Sequence, residues 1–170
     1  MGIRWTDVDF ENNIIHLRQQ VGKVGNVIKA WELKTESSVR TLALLPHIKE
    51  VMLRHAEHKN IIIPPCDPNR EITLDGLVCT STTDTPINPG NLQRSFNLMT
   101  KQAGLPKIKI HELRHTTSTL LKDLNVPMKD IQKILGHANI STTMNIYTHS
   151  TEKNCTDGLN ALGAVLFNKI

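Results

Sequence analysis

The spacing of hydrophobic residues changes from an alternating to a helical period near residue 46. Before it, apolar and polar positions alternate over residues 3–10, and the three stretches that follow, 13–21, 27–33 and 39–45, have the composition of strands. Turn-forming residues separate the three stretches, and the first gap, KVGN at 23–26, contains a glycine. Short stretches of this kind between turns are typical of strands, so the pattern predicts three antiparallel strands.

After residue 46 apolar residues recur every three or four positions, which predicts helices. The predicted helices cover residues 46–58, 89–103, 111–124, 128–135 and 142–148, and an amphipathic segment lies in the tail at 151–170. Asn88 and Pro89 are typical of a helix cap and first turn, and Gly104 and Gly136 are typical of helix ends.

This order of elements predicts one α+β domain over residues 1–170. We expect a mostly helical body with a small three-stranded antiparallel sheet at one edge. A further short strand is expected at 77–80. The first helix is expected to present one face that contains Ile48, Val51, Met52 and His55.

Composition narrows the class of protein. Aromatic residues make up only 4% of the chain, so its core is expected to consist mainly of Leu, Ile, Val and Met. The net charge of +4 is compatible with a polyanionic partner. The cysteines, Cys66, Cys79 and Cys155, are far apart and form no C-x-x-C pair, which indicates reduced thiols and a cytoplasmic protein. The longest apolar runs, such as 161–167, are too short to span a bilayer.

The stretch HELRH at 111–115 has two interpretations. His111 and His115 have the spacing of the zinc-protease motif, with a glutamate between them. Zinc needs a third protein ligand, and the extended motif fails because Ser118 and Leu121 occupy its glycine and histidine positions. A zinc protease is therefore kept only as an alternative.

The same stretch suits a phosphate. His111 and Arg114 share a helix face, and a guanidinium offers a planar fork of donors to phosphate oxygens. LGH at 135–137 adds a second histidine just after a predicted helix end. Ten residues later lies Tyr147, the only tyrosine of the chain and a potential nucleophile for phosphorus.

These segments together resemble the tyrosine recombinases, specifically phage and conjugative-transposon integrases. The resemblance rests on HELRHT (111–116), LGHA (135–138) and STTMNIYTH (141–149), on KTESSVRTLAL (34–44), which is similar to the family's hairpin lysine motif, and on GIRWTDVDF (2–10). It covers nearly the whole chain. It implies a site-specific DNA recombinase that cleaves and rejoins DNA through a 3′-phosphotyrosyl intermediate, without metal or cofactor. Its implied partners are a double-stranded DNA attachment site and other recombinase protomers.

The resemblance also implies a role for each residue. Tyr147 attacks the scissile phosphate, Arg114 neutralises the transition state, and His137 donates a hydrogen bond to the same oxygens. His111 serves as general base for the tyrosine hydroxyl. Lys34, expected at the tip of a hairpin, protonates the departing 5′ oxygen.

Each residue also has a structural interpretation. In that interpretation Tyr147 is an ordinary half-buried tyrosine, Lys34 is a solvated hairpin lysine, His137 caps the preceding helix, and Arg114 pairs with Glu112 or Asp130. Arg94 and Lys101 are candidate DNA contacts, or part of a solvated basic face. Arg40 is interpreted as a structural strand residue.

One family feature is missing. The first catalytic arginine of the family lies upstream of the segment that matches residues 2–5, and Arg4 is not its equivalent. We therefore expect a catalytic domain truncated at its N-terminus, with impaired cleavage, or a DNA-binding fragment without catalysis. The tail at 151–170 is expected to dock on a neighbouring protomer or on its own domain.

Overall fold

The computed structural model describes residues 2–137, which form an α+β fold with four helices and small antiparallel sheets, as predicted. The elements are β1 (Val8–Asp9), β2 (Ile14–Leu17), β3 (Gln19–Val24), β4 (Val27–Glu32), β5 (Arg40–Ala43), α1 (Pro46–His58), α2 (Pro89–Gln102), α3 (Glu112–Asp123) and α4 (Met128–Leu135). The predicted helix at 142–148, Tyr147 and the tail lie outside the described residues. Within residues 2–137, no helix is long and apolar enough to cross a membrane.

The stretch 13–21, predicted as one strand, is two strands. It is interrupted at Arg18, and β2 and β3 belong to different sheets. The cause lies at Gln19, which is buried: its side-chain amide donates to the Thr73 carbonyl at 2.9 Å and its Oε1 accepts from the Thr73 amide at 3.2 Å. This buried amide ties the start of β3 to the loop instead of to the first sheet.

The prediction of a three-stranded antiparallel sheet is therefore confirmed, but the strands that form it are not the predicted ones. A three-stranded antiparallel sheet exists, but its order is β1-β2-β5, with Ile15 opposite Leu42. β3 and β4 form a separate two-stranded ribbon, whose closing pair is Val24 and Val27. Lys34 consequently does not lie at a hairpin tip. It is exposed on the connection 33–39 between the two sheets.

The helix predictions agree closely with the structure. Asn88 caps α2, because its Oδ1 accepts the Gly90 amide hydrogen at 2.9 Å. The buried face of α1 was predicted less well: Met52 is buried, whereas Ile48 and Val51 are 45% and 47% exposed. The predicted strand at 77–80 is reduced to two isolated bridges.

The core of the sheet side is built around Trp5, which is 3% exposed. Its indole stacks with the rings of Phe10 and of His55, at centroid distances of 6.4 and 6.1 Å. Beside it lies an ion pair of Arg4 and Asp7, each 1% exposed, with 2.7 Å between Nη2 and Oδ1. The Trp5 backbone amide donates to the Gly76 carbonyl at 2.8 Å and Arg4 Nη1 donates to the Glu71 carbonyl at 2.6 Å, so the first segment of the chain is held against the loop at 71–76.

The short helix α4 connects the helical part to the sheet. It packs against both α3 and β5. Two of its apolar side chains are buried, Ile131 at 0% and Leu135 at 6% exposure. The position of Gly136 and His137, which directly follow α4, is therefore set by both parts of the fold.

Candidate active site

The end of α4 brings together the two motifs that contain Arg114 and His137. Arg114 is half-buried on α3, and its Nε donates to His137 Nε2 at 3.0 Å. One Nη2 hydrogen is donated to the Leu135 carbonyl at 2.5 Å. The pairing of Arg114 with Glu112 or Asp130 is absent from the described residues. Glu112 instead accepts the amide hydrogen of Lys109 at 2.6 Å.

This contact fixes the protonation of His137. A guanidinium Nε can only donate, so the imidazole Nε2 must accept, and the ring is neutral with its hydrogen on Nδ1. Burial, followed by the charge of Arg114, lowers the pKa of His137 and thereby favours the neutral form. While the contact persists, His137 can donate to a ligand only through Nδ1.

Two guanidiniums bind the last turn of α4. Arg114 donates to the Leu135 carbonyl, and Arg40 Nε donates to the preceding carbonyl, that of Ile134, at 3.0 Å. A second Arg40 nitrogen, Nη1, donates to the Ser38 carbonyl at 3.0 Å. The carbonyls at a helix C-terminus carry partial negative charge, so they attract cations. Sequence analysis missed this role for Arg40; the available signal was its place in the same motif as Lys34.

Gly136 lets the chain turn at this point. Its φ of 66° is left-handed, and a Cβ here would come within 2.8 Å of Arg40 Cζ. Gly104, at the end of α2, has a similar φ of 68° but no atom within 4 Å of the same position. The two glycines therefore share a backbone conformation and differ in their surroundings.

We expect Gly136→Ala to be more destabilising than Gly104→Ala. Both variants place an alanine in the left-handed region, at a cost of about 1–2 kcal/mol. Gly136→Ala must also displace the Arg40 guanidinium from its carbonyl acceptors, which adds at least about 1 kcal/mol. Urea unfolding of both variants measures the difference, and equal losses would contradict the packing of Arg40 against Gly136.

The remaining candidates are spread over the surface. His111, which directly precedes α3, and His115 are exposed, with ring centroids 5.6 Å apart in an edge-to-face arrangement. Arg94 is exposed and donates to Asn91 Oδ1 at 3.4 Å. Lys101, also exposed, borders an open cleft at the end of α2. Across residues 2–137, no three His, Cys, Asp or Glu residues are grouped so as to hold a metal ion.

A cleft of about 290 Å³ opens beside His137. Its lining residues are Ser37, Val39, Arg40, Gln132, Lys133 and His137. Two of these side chains are cationic, one is an imidazole, and none is acidic. A cleft with this lining favours an anion, and its hydrogen-bond donors suit phosphate oxygens.

Comparison with known proteins agrees with this geometry. The model of the phage integrase family matches residues 1–154. A XerC-like tyrosine recombinase from Caldanaerobacter subterraneus subsp. tengcongensis is 33% identical, over 95% of this chain and 44% of its own length. The transposase of transposon Tn916 from Enterococcus faecalis is 27% identical, over 88% of this chain and 38% of its own length.

Among solved structures, the integrase of transposon Tn1549, in complex with transposon right end DNA, superposes with a TM-score of 0.78. The sequence identity is 26%, and the match covers 96% of this chain and 53% of that protein. The chain thus spans about half the length of the relatives it matches. Because the family model matches residues 1–154, the chain belongs to the phage integrase family.

Proposed function

We propose that this chain is catalytic machinery of a site-specific DNA recombinase, an integrase of a mobile element. The observation that carries the proposal is the contact between Arg114 and His137 beside a cationic cleft, in a chain of this family. Two side chains from separate motifs are held where both can bind the same phosphate. The zinc-protease alternative has no support from the family.

In the proposed reaction, the hydroxyl oxygen of Tyr147 attacks a backbone phosphorus of DNA. The bond from phosphorus to the 5′ oxygen breaks, and a 3′-phosphotyrosyl ester forms. His111 takes the proton of the tyrosine hydroxyl, and the ammonium of Lys34 gives a proton to the departing oxygen. One phosphate ester replaces another, so the bond energy is retained, and neither ATP nor metal is needed.

Arg114 and His137 act on the negative charge that builds up on the non-bridging oxygens. Among residues 2–137, Arg114 Nη1 donates no hydrogen bond, so it is available to a phosphate. His137 adds a hydrogen bond to the same oxygens. Donors fixed by the fold before the reaction need no reorganisation at the transition state, which is the basis of this kind of stabilisation.

The proposed substrate is a double-stranded DNA attachment site, bound by several protomers in the cytoplasm. The integrase of Tn1549, whose fold this chain shares, was solved in complex with DNA. Lys34, Arg94 and Lys101 are exposed cations that are available to backbone phosphates. Such contacts predict that DNA affinity falls steeply with increasing salt.

The test is a search for the covalent intermediate. The complete reading frame that contains these residues is expressed and incubated, in EDTA, with nicked duplexes tiled across the DNA around its gene. We expect a protein–DNA adduct on a denaturing gel, and mass spectrometry should place the linkage on a peptide that contains Tyr147. Intact duplexes, from which no fragment can diffuse away, serve as the control and should trap less adduct.

Two outcomes would contradict the proposal. DNA binding without any adduct would favour a DNA-binding protein without catalysis. An adduct that maps to a residue other than Tyr147, or that requires a divalent metal, would indicate different chemistry.

A further inference from the structure

Arg40 is the group near the candidate site to which the proposed reaction gives no part. We propose that Arg40 is a positioning residue: it joins the last turn of α4 to the start of β5 and thereby holds His137 against Arg114. The expected effect on catalysis rests on the proposed function. The placement of His137 by Arg40 does not depend on that function.

The hydrogen bonds of Arg40 connect two distant parts of the chain. Its Nε donates to the Ile134 carbonyl, 94 residues away in sequence, and its Nη1 donates to the Ser38 carbonyl just before β5. One planar group thus binds both elements at once. A planar fork fixes the angle between its acceptors as well as their distance.

The connection continues from Arg40 to the imidazole. The guanidinium packs against Gly136, where a Cβ would come within 2.8 Å of Arg40 Cζ and would have to displace it. The next residue is held through its backbone, because the His137 amide donates to the Gln132 carbonyl at 3.2 Å and Gln132 Nε2 donates to the His137 carbonyl at 3.0 Å. Arg114 then fixes the ring. Arg114 thus orients the imidazole of His137. The end of α4 sets the position of its backbone, and Arg40 holds that helix end in place.

The charges agree with this role. Burial, followed by the charge of Arg114, lowers the pKa of Arg40, and no acidic side chain of the described residues pairs with either arginine. A half-buried pair of like charges is unfavourable unless something compensates for it. The helix-end carbonyls do so, and each arginine takes a different one.

The same charges influence the titration of His137. Among residues 2–137, the charged and titratable groups that influence its imidazole are Arg114, His111 and His115 from the α3 side and Arg40 from β5, and Lys133 lines the same cleft. Arg40 is thus one of several positive charges that disfavour imidazolium. Removing this charge should move the pKa of His137 upward, whereas removing a distant charge should not.

The experiment compares Arg40→Ala and Arg40→Lys in the complete reading frame. Lys49→Ala is the matched control: Lys49 also fastens two segments, by donating to the Phe10 carbonyl at 2.5 Å and to Asn13 Oδ1 at 2.8 Å, but it lies on α1, outside the site. Single-turnover cleavage at saturating DNA, DNA affinity as a function of salt, and the titration of His137 by nuclear magnetic resonance are measured for each.

For Arg40→Ala we expect cleavage to slow by about 10- to 100-fold, because His137 shifts relative to Arg114 while all the residues assigned to the reaction remain present. DNA affinity should stay within about twofold of the unmodified protein, and its salt dependence should not change. The pKa of His137 should rise. Arg40→Lys keeps the charge but not the fork, so cleavage should slow while the His137 titration stays close to that of the unmodified protein. Lys49→Ala should change neither.

Three results would overturn the inference. Unchanged cleavage and titration in Arg40→Ala would remove any role in the site. Weaker DNA binding, with the salt dependence reduced by about one ion, would make Arg40 a direct phosphate contact. Equal effects of Arg40→Ala and Lys49→Ala would show general stabilisation only. If the unmodified protein forms no adduct, the proposed function fails. The tautomer of His137, measured by nuclear magnetic resonance in Arg40→Lys, still decides the geometric part, because the Arg114–His137 contact requires the ring hydrogen on Nδ1.

Discussion

Replacing Arg114 with alanine is expected to slow DNA strand cleavage about 10²–10³-fold at saturating DNA, which corresponds to about 3–4 kcal/mol of transition-state stabilisation. The guanidinium is half-buried, so solvent screens its charge less than that of an exposed arginine. His137 and the Leu135 carbonyl hold it in place before DNA arrives. The variant loses both the charge and the preset geometry, and single-turnover adduct formation measures the loss.

The matched control for this prediction is Arg54→Ala. Arg54 is 64% exposed on α1, and its ion pair with Glu50 lies on the surface. The control removes the same charge from the protein and should leave cleavage within about twofold of the unmodified protein. Arg114→Lys should remain slow, because an ammonium cannot bind the phosphate, His137 and Leu135 in one plane. Cleavage by Arg114→Ala at nearly the unmodified rate would rule out the assigned role.

Replacing Asp7 with alanine is expected to lower the free energy of unfolding by about 3–5 kcal/mol. Arg4 and Asp7 are each 1% exposed and form two side-chain contacts, Nη2 to Oδ1 at 2.7 Å and Nε to Oδ2 at 3.0 Å. Removing the carboxylate leaves a buried guanidinium without its counter-charge. The backbone amide of Arg4, which donates to Asp7 Oδ2 at 2.9 Å, also loses its acceptor.

Urea unfolding checks this prediction against Glu50→Ala, which removes the acidic partner of an exposed pair. Its carboxylate is 63% exposed, so we expect a loss of about 0.5 kcal/mol or less. Asp7→Asn should give an intermediate value, because the amide oxygen can still accept hydrogen bonds but carries no charge. If Asp7→Ala costs no more than Glu50→Ala, the buried pair does not stabilise the fold.

The helices could be predicted from sequence because their signals are local. Asn88 before a proline and Gly136 after an apolar turn mark helix ends whatever surrounds them. The sheets could not be predicted to the same extent. No turn-forming residue marks Arg18, and the break appears only when Gln19 binds the Thr73 backbone, 54 residues away in sequence. A contact of that kind leaves no periodic signal.

The same distinction applies to the candidate site. Arg114 and His137 were predicted to act together because their motifs, once the resemblance was identified, carry related chemistry, and the structure brings their side chains into contact. Arg40 was interpreted as a strand residue because its spacing describes only its own element. Its proposed role depends on the Ile134 carbonyl in the last turn of α4, and the sequence around residue 40 carries no signal of that contact.

The separation of the two sheets has a consequence for engineering. The connection 33–39 joins strands that do not pair with each other, so its length is not constrained by either hydrogen-bond ladder. We expect that residues inserted between Lys34 and Thr35, ahead of the 3-10 turn at Glu36–Ser38, would not shift the register of β4 on β3 or of β5 on β2. Lys34 thus lies on a connection whose length can change. Lengthening this connection would extend the reach of the Lys34 ammonium while both hydrogen-bond ladders keep their alignment.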